Sequence, residues 1–175
     1  TDPYTDEVYA KGAVNLQNMI DEGVLARDTQ PCYYFYRLIM GEHEQTGLVA
    51  AASVPDYDTN RIRKHEFTRP DKEDDRVKNI DALNTQTGPV FLTYKSSSIV
   101  DEVAEQMTWR VADVDIEADD GVKNTLWAVD DEALVEKLTA TFVAMDCLYI
   151  ADGHHRSAAA SRVCSARKEK NDSHT

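Results

Sequence analysis

Asp146-Cys-Leu-Tyr-Ile-Ala-Asp-Gly-His-His-Arg-Ser-Ala-Ala-Ala160 passes from an apolar run through one glycine and a polar cluster into an alanine tract. Cys147 to Ile150 predicts a brief strand and the alanine-rich segment from Ser157 a helix, so Gly153 falls in a strand-to-helix loop. Backbone N–H groups and the positive end of the helix dipole converge at such a loop, which attracts phosphate. Arg156 adds a planar fork suited to two phosphate oxygens, while His154 and His155 offer further donors. Small Ala158, Ala159 and Ala160 let the helix lie close to the sheet and keep the loop stiff.

Two other readings of the same residues stand beside this one. Asp152 can act as a helix cap and one histidine as a packed core residue. Alternatively Asp152, His154 and His155 are competent metal ligands. Adjacent residues seldom point the same way and Arg156 repels a cation, so phosphate ranks above metal.

Outward from this loop the chain alternates helical and extended patterns. Val8, Tyr9, Ala13, Leu16 and Ile20 recur at helical steps between Thr5 and Glu22, and Gly23 follows as a C-cap. The aromatic run from Cys32 to Met40 and the apolar run from Gly47 to Val54 read as paired strands joined by a polar turn. Pro70 with Asp71, Glu73 and Asp74 predicts a helix start, with Val77, Ile80 and Leu83 as its apolar face and Gly88-Pro89 as its stop. A strand over 90–94 and a helix over 98–107 follow. Strands over 109–116 and 125–129 flank the turn Asp119-Asp-Gly121. A helix capped by Asp130 or Asp131 then leads to Cys147. The pattern is α/β: a small mixed sheet flanked by helices, forming a single domain over 1–166 with a polar tail over 167–175. The chain begins Thr-Asp-Pro rather than with methionine, and a fragment of a longer protein is expected.

Composition narrows the partners. Nineteen Lys and Arg against 32 Asp and Glu give a formal net charge of -13, which opposes a sequence-independent grip on nucleic acid or on an anionic membrane. Neither a bilayer-spanning apolar run nor a leader is visible, so the expected location is the cytoplasm. Cys32, Cys147 and Cys164 are widely spaced and match no metal or redox interval.

A second polar cluster, His65-Glu66-Phe67-Thr68, precedes Arg69, Lys72, Asp75 and Arg76. Thr68 and Asp71 suit a capping box, and Asp75-Arg76 suits an ordinary solvated pair. If phosphate occupies the Gly153 loop, Glu66 can take a proton from an acceptor hydroxyl or help hold magnesium, with Asp152 as a second magnesium ligand. His65 then orients Glu66 or touches substrate, and Arg76 neutralises phosphate charge.

These segments resemble the family catalogued as domain of unknown function 1015. The resemblance rests on Tyr149-Ile150 with Ala151 to Ala159, on Tyr33 to Arg37, Gly47-Leu-Val49, His65 to Thr68 with Asp75-Arg76, Gly88-Pro-Val-Phe91, and Leu126-Trp127 behind Asp120-Gly121. That family looks related to the ParB/sulfiredoxin-like superfamily, whose Gly-x-(His/Arg)-Arg-x-x-Ala loop holds nucleotide phosphates; Gly153, His155, Arg156 and Ala159 match it. The superfamily includes sulfiredoxin, the CTP-binding partition protein ParB and an ADP-dependent kinase of free serine. The resemblance implies a ParB/sulfiredoxin-like fold binding ADP or ATP, with CTP also compatible, together with magnesium. His154 stands where sulfiredoxin carries its reactive cysteine, which argues against reductase chemistry. The expected activity is phosphoryl transfer to a hydroxylated metabolite. A nucleotide-binding regulatory module without chemistry and a metal-dependent hydrolase are the alternatives.

Overall fold

The computed structural model describes residues 4–171, within which the chain forms two compact units. One comprises the residues numbered up to 27 with 53–94 and 146 onward; the other comprises 28–52 and 95–145. Each holds one small sheet, so the architecture is α/β with two sheets where one was expected.

In the second unit β1 (Tyr33–Met40) turns through Gly41, φ +61°, into β2 (His43–Val49). The turn is tighter than its polar sequence suggests, because Met40 already pairs with His43. β5 (Val114–Glu117) and β6 (Lys123–Val129) form a second hairpin, and the antiparallel order is β2-β1-β6-β5. Along β6 the buried residues Thr125, Trp127 and Val129 alternate with less buried neighbours, the signature of a sheet with one covered face. Trp127 pairs across the ladder with buried Phe35. The helix α4 (Ser98–Thr108) contacts β1 and β6 and buries Val100, Val103 and Met107, which lie on one helical face. It also packs on α5 (Glu132–Val143), whose Leu138 is fully enclosed and whose start is capped by the Asp131 carboxylate accepting from Leu134 N–H at 3.0 Å.

The first unit holds the loop quoted above. Its sheet has the order β3-β7-β4, from β3 (Ile62–Arg63), β7 (Leu148–Asp152) and β4 (Phe91–Thr93). β3 runs parallel to β7, with Ile62 opposite Leu148, and β4 runs antiparallel to it. Around them lie α1 (Asp6–Asp21), the short α2 (Val54–Asp58), α3 (Pro70–Leu83) and α6 (His154–Glu169). α3 packs against both α1 and α6, and Ile62, Ile150, Ala158, Ala159 and Val163 are buried.

Two ion-pair latches run along the α3–α6 contact. Arg162 bridges Glu73 and Asp74, and Arg167 bridges Asp81 and the Asn84 side chain. α3 ends in Asn84, φ +51°, before the expected Gly88-Pro89 stop, because asparagine tolerates the left-handed turn. Nor does Thr68 make a capping box with Asp71: its hydroxyl donates to Glu73 Oε1, and the N-cap position is Arg69. α6 takes in Arg167 to Glu169 of the expected tail, and residues 172–175 of that tail lie outside the described residues. No helix among the described residues is long and apolar enough to cross a membrane.

Candidate functional site

The parallel pairing of β3 and β7 builds the site. Strands that run the same way end at the same edge, so the segment leaving β3 (residues 64–69) emerges beside the loop leaving β7. The two polar clusters of the sequence therefore meet.

Gly153 makes the turn from β7 into α6. It is the helix N-cap at φ +99°, ψ +28°, a backbone region that a residue with a Cβ occupies only under strain. α6 begins at His154, three residues before the alanine tract, so His154, His155 and Arg156 occupy its first turn. The N–H groups of a first turn have no acceptor four residues back within their own helix. Successive residues of a helix are rotated by about 100°, and these three side chains diverge accordingly.

His154 points inward, its side chain only 4% exposed, with Nδ1 3.5 Å from Glu66 Oε2. Its Nε2 accepts from the His65 backbone N–H at 3.5 Å. The His65 ring stands edge-on to it, with centroids 4.5 Å apart and planes at 86°, and His65 Nε2 lies 3.8 Å from Glu66 Oε1. The Glu66 carboxylate thus faces one imidazole with each oxygen. Among the described residues this is the group of three His and Glu side chains whose ligating atoms, all within 4.8 Å of one another, could hold a cation.

His155 turns instead to the start of α3, where its Nε2 accepts from Arg69 N–H at 3.1 Å. That bond fixes the entry of α3 against α6.

Arg156 folds back over the loop. Its guanidinium donates to Asp152 Oδ2 through Nη2 and to Pro89 O through Nη1. A Cβ built on Gly153 would meet Arg156 Nε at 3.2 Å, and one on Gly88 would meet Arg156 Cδ at 3.2 Å, so two glycines make room for this side chain. The Asp152 side chain is spent on Arg156 and does not cap α6, which carries no side-chain cap. Arg76 pairs with Asp75 at 2.7 Å, and Asp75 in turn accepts from the Tyr9 hydroxyl at 2.8 Å. Burial and that bond push the Tyr9 phenol up to about 12.

Arg76 and Arg156 both line a cavity of about 290 Å³, together with Asn79, Ile80, Gln86, Thr87 and Gly88. The residues between α3 and β4 are ones that sequence reasoning missed. Gly88-Pro89 had a role only as a helix stop, although a Gly-Pro pair also supplies an unhindered backbone and a carbonyl acceptor. Asp152, His154 and His155, the ligands considered for a metal site, face Arg156, Glu66 and Arg69 N–H respectively and do not converge.

The first unit is thus an α/β unit in which the glycine-started helix α6 meets the segment leaving β3. The family model described as "Protein of unknown function (DUF1015)" matches residues 1–175, and the chain belongs to that family. No curated protein and no solved structure matches it.

Proposed function

We propose that the first unit is a ParB/sulfiredoxin-like domain that binds the phosphates of a nucleotide at Gly153–Arg156 and transfers a phosphoryl group to a small hydroxylated metabolite in the cytoplasm. One observation carries the reading: the Arg156 guanidinium lies over Gly153 and Gly88 and lines the same cavity as Arg76. Two guanidiniums on one polar cavity beside a helix N-terminus suit a multiply charged anion better than a neutral ligand, and such an anion would take the place of the carboxylate partners Asp152 and Asp75. A glycine at φ +99° keeps the backbone bare where phosphate oxygens approach.

ADP or ATP fits this donor set as well as CTP does, since the base takes no part in it. In the transfer, the acceptor oxygen forms a bond to phosphorus as the bond from phosphorus to the leaving phosphate oxygen breaks. The acceptor's proton passes to a carboxylate, for which Glu66 is the candidate, oriented by His65 and His154. Magnesium, when bound with the nucleotide, would neutralise phosphate charge. Glu66 suits that ion as a carboxylate ligand. Asp152 suits it less, because its charge is already matched by Arg156.

Thermal denaturation with magnesium and ADP, ATP or CTP tests the reading, followed by phosphate transfer to a hydroxylated acceptor such as serine. The expected result is a rise in Tm that Arg156→Ala removes, together with turnover that Glu66→Gln abolishes. Stabilisation without turnover on any acceptor would instead make the unit a regulatory nucleotide-binding module. No stabilisation by any nucleotide would sink the phosphate-loop reading altogether.

A further inference from the structure

We propose that His65, Glu66 and His154 form a binding site for a divalent transition cation of the zinc type, separate from any magnesium that travels with a nucleotide. Donor atoms around a tetrahedral ion with bonds of about 2.1 Å lie roughly 3.4 Å apart. The separations here are 3.5 Å for His154 Nδ1 to Glu66 Oε2 and 3.8 Å for His65 Nε2 to Glu66 Oε1, and the ligating atoms of all three residues lie within 4.8 Å of one another, so the exposed side chains of His65 and Glu66 close the shell by drawing in towards His154. Two neutral imidazoles and one carboxylate select zinc, cobalt or nickel over magnesium, which prefers an all-oxygen shell.

The burial pattern fits an open site. His154 is 4% exposed and held by the fold, whereas the side chains of His65 and Glu66 are 60% and 61% exposed. Three protein ligands with one solvent-facing side leave a fourth position for water or a ligand oxygen, as catalytic rather than structural zinc sites do. Two neighbouring arginines are engaged elsewhere: Arg156 donates to Asp152 and Pro89 O, and Arg69 pairs with Asp71. The chain's net charge of -13 favours cation uptake.

Binding through His154 Nδ1 moves that ring's proton to Nε2, which faces the His65 N–H. At 3.5 Å this contact carries little hydrogen-bond energy, but a protonated Nε2 would face the His65 N–H donor to donor, so binding requires the exposed His65 segment to shift, a cost that a cation with strong bonds to imidazole overcomes and magnesium does not. The proposal does not rest on the nucleotide reading. It assigns Glu66 to the cation, and with zinc bound different groups would have to take the acceptor proton and hold magnesium.

Isothermal titration of the chelator-stripped chain with zinc chloride, without nucleotide, tests it, with cobalt as the spectroscopic probe. Expected are one equivalent bound, a rise in Tm that magnesium does not reproduce, and a cobalt spectrum free of thiolate charge transfer, since the cluster of His65, Glu66 and His154 contains no cysteine. His65→Asn and Glu66→Gln, both at exposed side chains, should fold normally and each weaken zinc at least ~10-fold, the loss that even outer-shell substitutions give. The proposal is overturned if zinc does not bind, if both variants keep wild-type affinity, or if the cobalt band is that of a thiolate. Because no nucleotide is present, any of these results leaves the phosphate site to its own experiment.

Discussion

Replacing Gly153 by alanine probes the loop at its most constrained point. A left-handed backbone costs a residue with a Cβ roughly 1–2 kcal/mol. At φ +99° the cost belongs at the upper end, because even the left-handed window that L-residues reach ends near +70°. The new methyl would also lie 3.2–3.3 Å from three guanidinium atoms of Arg156. Arg156 is a flexible side chain and can move, but moving it strains its bonds to Asp152 and Pro89 O, each worth about 1 kcal/mol net. The total is about 2–3 kcal/mol, and for a chain of this size each kcal/mol lowers Tm by roughly 2–4 °C. Gly23, φ +74° in the same unit, has nothing within 4 Å of its would-be Cβ, so Gly23→Ala measures backbone strain alone. Urea titrations of both variants should place Gly153→Ala below Gly23→Ala by at least ~1 kcal/mol, and only Gly153→Ala should lose stabilisation by magnesium-nucleotide. If the two variants match in stability, or if Gly153→Ala keeps its nucleotide response, Arg156 is not the side chain that the loop is built around.

Two further tests concern the supports of each unit. Tyr9→Phe removes the bond to Asp75 and should cost about 1 kcal/mol at neutral pH by urea denaturation. The folded phenol keeps its proton up to about 12 against 10 in the unfolded chain, so this contribution is complete below pH 10 and is lost as pH rises from 10 through 12; the variant should lack that part of the alkaline decline. Asp131→Ala removes the cap on Leu134 N–H and should lower the stability of the second unit by ~1 kcal/mol, while Asp131→Asn should restore most of it, read from the urea midpoint.

Periodicity made the regular elements legible. α4, α5 and β6 follow their apolar spacing closely, and Asp131 caps α5 as its sequence suggests. β2 was legible only in its second half. It is an edge strand exposed on both faces, so His43 to Thr46 carry no alternation and resemble a turn. The expected strand over 109–116 begins instead at Val114, because Trp109 and Val111, apolar in type, are 81% and 96% exposed. α2 and β3 are too short to repeat any period, although Pro55 in the first turn of α2 was a usable sign.

The same brevity hid the geometry of the site. Which residues adjoin the Gly153 loop depends on the pairing of Ile62 with Leu148, a contact between positions far apart in the chain within a two-residue strand. Residue types alone singled out His65, Glu66, His154, His155 and Arg156. They could not assign partners, such as the Arg69 backbone N–H from which His155 Nε2 accepts.

The divergence of His154, His155 and Arg156 makes the first turn of α6 a phase setting. Each residue added or removed between Arg156 and the buried Ala158 would turn the side chains ahead of it by about 100° about the axis of α6, sending the wrong one to each station. An imidazole would then lie over Gly88 or a guanidinium would enter the buried place of His154. Length in this turn is therefore as chemically specific as residue identity, and relatives that keep the residues but change the spacing should not be expected to keep the site.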